Sequence, residues 1–300
     1  MIERQTAVFR FAPSPNGELH LGHALSAMVG HDWAARVGGR FLVRIEDIDQ
    51  TRSRDHFVQS ILDDLAWLGL DWERPEVRQS EHFADYALAV ERLQSLGLVY
   101  PCFATRGEIA VAIASTASAD ARQRLDPDGA PIYPGLYRDM DKRNISARRT
   151  AGERAALRLD MKKALAVAAA KLQGRPLTFR ETDDDGIEHI VEADPARWGD
   201  AILIRKDTPA SYHLSVVVDD ARQGITHVTR GRDLYAATDL HRLLQVLLDL
   251  PEPRYHHHRL LIGPDGRKLS KSTGAPRLKE LRAEGVTPSE IRRRLGLPPR

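Results

Sequence analysis

Apolar residues along this chain of 300 residues follow two patterns, short unbroken runs and runs that return every three or four positions. The mostly apolar run at 40–46 is typical of a strand buried in a parallel sheet, and the run at 6–11 predicts a strand before it. Residues 20–37 are good helix formers followed by two glycines, so they predict a helix. A strand, a helix and a strand at this spacing predict a βαβ unit.

The same patterns extend over the rest of the chain. Helical spacing of apolar positions predicts helices at 56–68, 83–96, 238–250, 278–285 and 288–295. Short apolar runs predict strands at 98–100, 157–159, 177–179, 187–192, 201–205, 210–220 and 225–234, the last including an exit turn. Residues 102–119 have mixed character. Residues 120–154 are rich in Asp, Arg, Gly and Pro and are predicted to form loops.

A turn and two histidines follow the first predicted strand. Pro13, Pro15 and Gly17 favour a turn, and His20 and His23 stand at the start of the predicted helix. The N–H groups and the positive dipole end of a helix N-terminus favour a phosphate group. Two imidazoles at this point can donate hydrogen bonds to a phosphate whose charge grows during a reaction.

Carboxylates follow the second predicted strand. Glu46, Asp47 and Asp49 lie where parallel strands deliver ligand-binding side chains, at the carboxyl edge of the sheet. They can hold an ammonium group, and nearby arginines such as Arg44 and Arg52 can balance their charge. Taken alone, the segment would be interpreted as a salt-bridged helix start.

A glycine-rich basic segment lies near the other end of the chain. Lys268 and Lys271 stand between Gly263, Gly266 and Gly274, which favour a mobile loop. Two lysines on such a loop can neutralise triphosphate charge as the α-phosphate is attacked. Alone, this segment would be read as an ordinary charged loop.

Four stretches together resemble one family. They are Arg-Phe-Ala-Pro-Ser-Pro-x-Gly-x-Leu-His continuing to His-Leu-Gly-His at 10–23, Arg-Ile-Glu-Asp-x-Asp-x-x-Arg at 44–52, Tyr-His-Leu-x-x-Val-Val-Asp-Asp at 212–220 and Lys-Leu-Ser-Lys-Ser at 268–272. The chain resembles the class I aminoacyl-tRNA synthetases, whose signatures are the HIGH and KMSKS motifs, and the glutamyl branch in particular. A match at about ten fixed positions, with the second signature in the right order, is specific.

The resemblance implies an α/β fold with a Rossmann-like, doubly wound parallel sheet as the nucleotide-binding domain. It divides the chain into a first catalytic half (1–100), an inserted α/β domain of the acceptor, RNA-binding type (101–205), a second catalytic half with the KMSKS-like loop (206–272) and a short helical end (273–300). The last segment is expected to be too short for an anticodon-binding domain.

The resemblance also implies ATP-dependent activation of L-glutamate, with Mg²⁺ accompanying the ATP substrate. The glutamate carboxylate would attack the α-phosphate, and the protein would mainly position groups and stabilise charge. The implied catalytic residues are His20, His23, Lys268 and Lys271, and the implied ATP contacts are His20, Gly22, His23 and Lys271. The implied glutamate contacts are Arg10, Ala12, Ser14, Glu46, Tyr212 and Arg230.

The side-chain carboxylate of glutamate needs a fixed positive charge, and a guanidinium is its best partner. Arg10 and Arg230 both suit this role, and the sequence leaves the division between them open. Glu46, with or without Tyr212, would take the α-ammonium group. Tyr212 is alternatively a wall residue that makes no direct contact.

Related glutamylating enzymes often carry zinc in the insertion, held by a Cys-x-Cys, Tyr and Cys pattern. The matching positions here are Cys102, Ala104, Tyr133 and Tyr137. One thiol cannot supply the four thiolate or imidazole ligands of a structural zinc site, so we expect packing instead of zinc. The run 256–258 of three histidines is interpreted as packing and polar surface rather than a metal site.

Composition adds mild limits. The net charge is only +2, so RNA binding would rely on local basic clusters such as 143–149 and 292–294, which are about equally often plain surface. A single cysteine suits a reducing cytoplasm, and neither a membrane span nor a signal peptide is expected.

The expected RNA partner also comes from the resemblance. The short paralogues of glutamyl-tRNA synthetase transfer glutamate to queuosine in the anticodon loop of tRNA(Asp), and we expect this chain to do the same as a monomer. Three alternatives stay open: a truncated glutamyl-tRNA synthetase charging the tRNA 3′ end, a small-molecule adenylate-forming ligase, and a non-catalytic RNA-binding module.

Overall fold

The computed structural model of the protein describes residues 6–116, 125–263 and 276–300. Its strands are β1 (Val8–Phe11), β2 (Arg40–Ile45), β3 (Glu73–Arg78), β4 (Val99–Cys102), β5 (Ala156–Leu159), β6 (Thr178–Thr182), β7 (Glu188–Glu192), β8 (Ile202–Ile204), β9 (His227–Gly231) and β10 (Arg254–His258). Its helices are α1 (Leu21–Arg36), α2 (Asp55–Trp67), α3 (Phe83–Ser95), α4 (Arg106–Thr116), α5 (Lys142–Thr150), α6 (Met161–Lys171), α7 (Tyr212–Arg222), α8 (Ala237–Leu248), α9 (Leu278–Ala283) and α10 (Pro288–Arg294).

A parallel sheet organises the described residues. Its strand order is β3-β2-β1-β9-β10-β6-β7, and every neighbouring pair is parallel except β6 and β7 at one edge. The predicted βαβ unit is present as β1, α1 and β2, with Val8 opposite Arg40 and Phe11 opposite Val43. The predicted α/β fold with a parallel sheet is therefore confirmed. A second, antiparallel sheet has the order β4-β5-β8.

Apolar side chains pack on both faces of the sheet. Phe9 and Phe11 of β1 pack with α1 and α2, whereas Val8 packs in a different cluster with Phe179 and Tyr255. Because successive strand residues point to opposite faces, these clusters lie on opposite sides of the sheet. The short C-terminal helices α9 and α10 join the α1 side, burying Leu278, Leu281, Ile291 and Leu295.

Two strands of the predicted insertion lie in the main sheet. β6 pairs in parallel with β10, and β7 closes that edge as an antiparallel partner of β6. The chain therefore returns to the catalytic sheet within 101–205 instead of keeping these strands in a separate layer. The four-segment division itself stays a prediction.

The expected strand at 210–220 is wrong, because this stretch forms helix α7. The Ser211 side chain accepts a hydrogen bond from the Leu214 backbone N–H and so caps the helix start. Three consecutive valines favour a strand locally, but here they pack within the helical cluster that α7 shares with α3 and α8. The expected loop at 120–154 also needs correction, since α5 lies within it.

Candidate active site

A cavity of about 450 Å³ opens at the carboxyl ends of β1 and β9 and beside the end of β2. Its wall includes nine residues that the sequence predicted: Arg10, Ala12, Ser14, His20, Gly22, His23, Glu46, Tyr212 and Arg230. Ligands of open parallel sheets bind at this edge, so the cavity is the candidate active site. The other two predicted residues, Lys268 and Lys271, lie outside the described residues.

The described residues on either side of 264–275 lie at this cavity. Leu260 and Leu261 line its wall on one side. On the other side, Arg277 forms a β-bridge with His20, and the Leu278 backbone N–H donates to the Leu19 carbonyl at 2.9 Å. The described range that begins at residue 276 therefore starts next to His20, and the range that ends at residue 263 reaches the cavity wall.

The two histidines fix each other at the start of α1. The Gly22 backbone N–H donates to His20 Nδ1 at 3.1 Å, and the His20 backbone N–H donates to His23 Nδ1 at 3.1 Å. Their ring centroids are 3.9 Å apart. Because each Nδ1 accepts a hydrogen bond, the proton of each neutral ring is on Nε2. The two rings can therefore donate Nε2–H without carrying a positive charge.

Gly22 has a role that the sequence did not predict. A Cβ atom at this position would lie 2.9 Å from His20 Cε1 and 3.1 Å from His20 Nδ1. Real Cβ contacts of 2.9 Å are essentially absent, so a side chain would displace the imidazole that caps α1. Glycine is therefore needed here for the His20 ring.

A buried group of charges supports one wall of the cavity. Arg10 Nε lies 3.0 Å from Asp220 Oδ1, and Arg44 NH1 lies 2.8 Å from the same oxygen. Arg44 also reaches Glu46 Oε1 at 3.3 Å and Asp219 Oδ2 at 3.9 Å. Although burial opposes it, Arg10 and Arg44 hold the pKa of Asp220 below its ordinary value. Asp219 and Asp220 were quoted in the sequence motif, but without a role.

Glu46 lies at the end of this group and faces the cavity. Burial raises the pKa of Glu46, and the charges of Arg44 and Arg10 oppose that rise only in part. A cation entering the cavity beside Glu46 would favour its charged form. The position suits a ligand ammonium group.

Arg230 is held in a different way. Its guanidinium donates from Nε to His257 Nε2 at 3.0 Å and from NH2 to Thr238 Oγ1 at 2.7 Å. Its NH1 lies 3.2 Å from His241 Nδ1 and 3.4 Å from the Tyr212 hydroxyl. Arg230 is only 4% exposed. In the described part of the chain, no carboxylate forms an ion pair with it.

Tyr212 and Ser14 both line the cavity. Tyr212 begins α7, and burial raises the pKa of its hydroxyl, with Arg230 opposing that rise. Its hydroxyl contacts Arg230. This position is compatible both with a direct contact to a ligand and with a role as a wall residue. Ser14 is exposed and follows Ala12 in the turn after β1.

The histidine run 256–258 is not polar surface, and that part of its interpretation is wrong. All three residues lie on β10 and are 5–7% exposed. His256 Nδ1 lies 2.8 Å from the Thr182 carbonyl, and His257 contacts both Arg230 and Glu181. Their burial follows from the place of β10 between two parallel neighbours.

A smaller pocket of about 160 Å³ adjoins the cavity. The two share Ser14, Asn16, Glu46 and Tyr212 as wall residues. The exposed side chains of Arg52 and Arg205 line the smaller one. Glu46 and Asp49 line it as well, so the candidate site adjoins a polar pocket that carries both signs of charge.

The four positions of the zinc pattern form a packed cluster. Cys102, Ala104, Tyr133 and Tyr137 are all buried there. Cys102 Sγ lies 3.3 Å from the Tyr133 hydroxyl, and the Arg158 guanidinium lies 3.9 Å above the Tyr133 ring. One thiol, a methyl group and two phenols beside a cation do not fit a zinc ion. In the described residues, His, Cys, Asp and Glu side chains form no group of three or more that could hold a metal ion.

Comparison with known proteins gives one family over nearly the whole chain. The family described as "tRNA synthetases class I (E and Q), catalytic domain" matches residues 6–298. A glutamyl-Q tRNA(Asp) synthetase from Rhodobacter capsulatus is 45% identical over 97% of this chain and 100% of its own length. Another from Symbiobacterium thermophilum is 40% identical over 94% of this chain and 83% of its own length.

Full-length glutamate–tRNA ligases are similar over about half of their length. The one from Synechococcus sp. (strain WH7803) is 36% identical over 94% of this chain and 56% of its own length. A crystal structure of a glutamate tRNA ligase from Elizabethkingia meningosepticum has a TM-score of 0.70 at 24% identity, covering 90% of this chain and 53% of that one. That structural likeness is a likeness of fold.

None of the helices in the described ranges is long and apolar enough to cross a membrane.

Proposed function

The chain belongs to the class I tRNA synthetases of the E and Q group, represented by their catalytic domain, and from that premise we propose its reaction. It activates L-glutamate with ATP as glutamyl-adenylate. It then transfers the glutamyl group to queuosine in the anticodon loop of tRNA(Asp), as the names of its relatives at 45% and 40% identity indicate for those proteins.

The observation that carries the amino acid assignment is the charge balance around the cavity. Arg10 and Arg44 lie against Asp219 and Asp220, so two buried cations meet two buried anions. Of the wall residues that the sequence predicted, this leaves Glu46, which shares Arg44 at 3.3 Å, and Arg230, which has no carboxylate partner in the described part of the chain. Asp233 and Arg259 line the same wall.

Glutamate matches the charges of Glu46 and Arg230. Its α-ammonium group is a partner for Glu46, and its γ-carboxylate is a partner for the guanidinium of Arg230. Arg10 also lines the cavity, but Asp220 already matches its charge. The γ-carboxylate is therefore assigned to Arg230, and Arg10 completes the wall beside it.

In this proposal, the start of α1 contacts the phosphate groups of ATP. The α-carboxylate oxygen of glutamate attacks the α-phosphorus of ATP, the bond to the bridging oxygen breaks, and pyrophosphate leaves. His20 and His23 donate Nε2–H to phosphate oxygens as negative charge grows there, and the helix dipole adds to this stabilisation. Mg²⁺ enters with ATP as part of that substrate, and Lys268 and Lys271 complete the phosphate contacts.

The transfer step needs only an acceptor hydroxyl. It attacks the carbonyl carbon of the adenylate, an ester C–O bond forms, and the anhydride C–O bond breaks. The electron pair of that bond stays with AMP, whose phosphate takes the hydroxyl proton. The smaller pocket beside Glu46 and Tyr212 gives an RNA nucleotide access to the activated carbonyl. Splayed loop nucleotides are the usual targets of proteins that read RNA.

The reaction is tested with labelled glutamate, ATP and tRNA(Asp). Four RNAs are compared, with and without queuosine, and with and without the terminal 3′ adenosine, which is removed enzymatically because periodate would attack both diols. Label that requires queuosine and ignores the 3′ end supports the proposal. Label that requires the 3′ end and ignores queuosine contradicts it and makes the chain a glutamyl-tRNA synthetase of catalytic-domain size.

Pyrophosphate exchange without RNA is the matched control. Exchange that depends on glutamate separates an activating enzyme from an RNA-binding module. If glutamate-dependent exchange persists but none of the four RNAs acquires stable label, the acceptor is a small molecule instead.

A further inference from the structure

The partners of Arg230 differ in kind from those of Arg10 and Arg44, the other two buried arginines of the candidate site. Arg10 and Arg44 each meet at least one carboxylate within 3.0 Å. Arg230 meets two imidazoles, a threonine hydroxyl and a phenol, all uncharged acceptors. A carboxylate would be the stronger partner for a buried guanidinium, because two parallel charge-assisted hydrogen bonds are about twice as strong as neutral ones. Among the described residues, no carboxylate serves Arg230 as a counter-ion.

Hydrogen-bond roles fix the proton positions in this group. Arg230 NH1 can only donate, so His241 Nδ1 accepts and the His241 proton is on Nε2. That Nε2–H donates to His213 Nδ1 at 3.2 Å. On the other side, His257 Nε2 accepts from Arg230, and its Nδ1–H donates to Glu181 Oε2 at 2.8 Å. Each imidazole is thus neutral and uses its lone pair toward the guanidinium side.

The surroundings keep these rings neutral. Burial, followed by the charge of Arg230, lowers the pKa of His213 to about 4 and the pKa of His241 well below its ordinary value. Burial and Arg230 also lower the pKa of His257 to about 4, against the opposing effect of Glu181. Glu181 contacts the ring of His257, not Arg230, so its charge is one side chain removed from the guanidinium.

We propose that His241, supported by His213, is a specificity-determining positioning residue that holds Arg230 with a neutral acceptor and thereby reserves its charge for the substrate carboxylate. The proposal rests on the proposed activation of glutamate. A neutral acceptor aims the guanidinium into the cavity but leaves its charge unmatched. Glutamate completes the charge balance on binding, whereas glutamine, of nearly the same shape, does not. The selectivity for glutamate over its amide is therefore set by a residue that does not touch the substrate.

A pair of substitutions of equal shape isolates the charge. His241→Asn places an amide oxygen near the position of Nδ1 and stays neutral, while His241→Asp places a carboxylate there. Both are compared with the wild-type chain by pyrophosphate exchange, measuring KM and kcat with glutamate and with glutamine. In His241→Asp, we expect the glutamate KM to rise by about 30-fold with a smaller change in kcat, because the new carboxylate takes the charge of Arg230.

The ratio of kcat/KM for glutamate over glutamine is the deciding readout. We expect it to fall by about 30-fold in His241→Asp and by less than about threefold in His241→Asn. A merely structural role would weaken both substrates alike and would not separate the two variants. Equal ratios in the two variants would overturn the proposal.

A second pair keeps the test decisive if His241→Asp does not fold. His213→Asp and His213→Asn change the ring behind His241, which is half-buried, and should shift the same ratio in the same direction by a smaller factor. No difference between these two variants, with both folded, would also overturn the proposal. If the wild-type chain does not exchange pyrophosphate in the presence of glutamate, the proposed function itself is contradicted. This outcome differs from a failure of the His241 proposal, in which the wild-type chain is active and the Asp and Asn variants show equal ratios.

Discussion

Arg10 and Asp220 form a buried ion pair that joins the first strand to the end of α7. Arg10 Nε lies 3.0 Å from Asp220 Oδ1, and Arg10 NH2 lies 3.4 Å from Asp220 Oδ2. Arg44 approaches the same carboxylate from β2. One carboxylate thus fixes two arginines from neighbouring strands, and through Arg44 it also fixes the position of Glu46.

Replacing Asp220 by asparagine should destabilise the protein strongly. The change keeps the shape but leaves Arg10 and Arg44 with excess buried positive charge. Removing one partner of a buried ion pair costs about 3–5 kcal/mol of unfolding free energy. Urea unfolding followed by circular dichroism measures the loss.

Asp207→Asn is the matched control for this measurement. Asp207 pairs with Arg154 on the surface, where both side chains are mostly exposed. Exposed pairs contribute about 0–1 kcal/mol, so this variant should unfold close to wild type. An equal loss in Asp220→Asn and Asp207→Asn would show that the buried group is not a stabilising unit.

Two substitutions of His20 should separate its capping role from its phosphate role. Asparagine can still accept the hydrogen bond from the Gly22 backbone N–H, but it has no group at the position of Nε2. We expect His20→Asn to keep its unfolding free energy and to lose about 100-fold in kcat for pyrophosphate exchange. His20→Ala should lose the same activity and, in addition, about 1 kcal/mol of stability.

The unfolding midpoint and the exchange rate of both variants are the measurements. If His20→Asn exchanges pyrophosphate as fast as wild type, His20 only caps α1 and does not contact phosphate. If both variants lose equal stability, asparagine does not replace His20 as the cap of α1. The comparison of these two variants then does not separate the capping role from the phosphate role.

The sequence predicted those parts of the fold that depend on neighbours in the chain. The βαβ unit over β1, α1 and β2 follows from local periodicity and two terminal glycines, and it is present as expected. Helix α7 was missed because its three valines favour a strand, and only its packing against α3 and α8 decides for a helix.

The charge network behind the cavity depends on residues far apart in the chain. Arg10 and Asp220 are separated by 210 positions, and Arg230 and His257 by 27. The motifs placed Arg10, Glu46 and Arg230 at the cavity, but nothing in their spacing shows which arginine already has a counter-ion. That distinction appears only when the strands are aligned side by side, and it is the ground on which we propose Arg230, not Arg10, as the partner of the γ-carboxylate.

Acid should destabilise the protein between about pH 6.5 and pH 4. Burial lowers the pKa of His213, His227 and His257 to about 4 in the folded state, from 6.5. In this window the unfolded chain therefore binds more protons, and the free energy of unfolding falls as the pH falls. Asp64 opposes this, because burial raises its pKa to about 6 and its folded form takes up a proton first.

The slope of unfolding free energy against pH measures the histidine contribution. His257→Asn removes one titrating ring, so its slope near pH 5 should be smaller than the wild-type slope by about 1 kcal/mol per pH unit. The absolute stability of the variant does not enter this comparison. Parallel slopes for the two proteins would show that His257 is not a neutral ring in the folded state.

The cluster around Cys102 should hold without zinc. The Tyr133 hydroxyl accepts hydrogen bonds from Cys102 Sγ and from the Tyr137 backbone N–H, at 3.3 and 3.1 Å. We expect X-ray fluorescence of the purified chain to show no stoichiometric zinc and a chelator to leave the unfolding midpoint unchanged. Tyr133→Phe should cost about 1–2 kcal/mol, because the buried Tyr137 N–H loses its acceptor.

Stoichiometric zinc, or a midpoint lowered by chelator, would contradict this prediction. Tyr86→Phe is the control, because it removes a buried hydroxyl that lies outside the Cys102 cluster. The Tyr86 hydroxyl donates a hydrogen bond to Asp219 at 2.8 Å. The chelator should also leave the unfolding midpoint of Tyr86→Phe unchanged relative to the untreated variant.

Helix α5 should contact the RNA. It buries none of its residues, and its side chains include Lys142, Arg143 and Arg149, all exposed and without an ion pair in the described ranges. A helix that buries no residue of its own and carries several exposed cations suits a phosphate backbone. Replacing these three residues by glutamine should raise the KM for RNA in the transfer reaction by about tenfold or more. Pyrophosphate exchange, which needs no RNA, should not change.

Salt dependence distinguishes direct phosphate contacts from an indirect effect. Each lost contact should reduce the slope of log affinity against log salt by about 0.7–0.9, so the triple variant should lose about two units of slope. The control is a triple glutamine variant at Lys162, Arg175 and Arg180, which removes the same number of exposed lysines and arginines outside both pockets. If the two triple variants weaken RNA binding equally, the effect comes from net charge alone, and α5 is ordinary solvated surface.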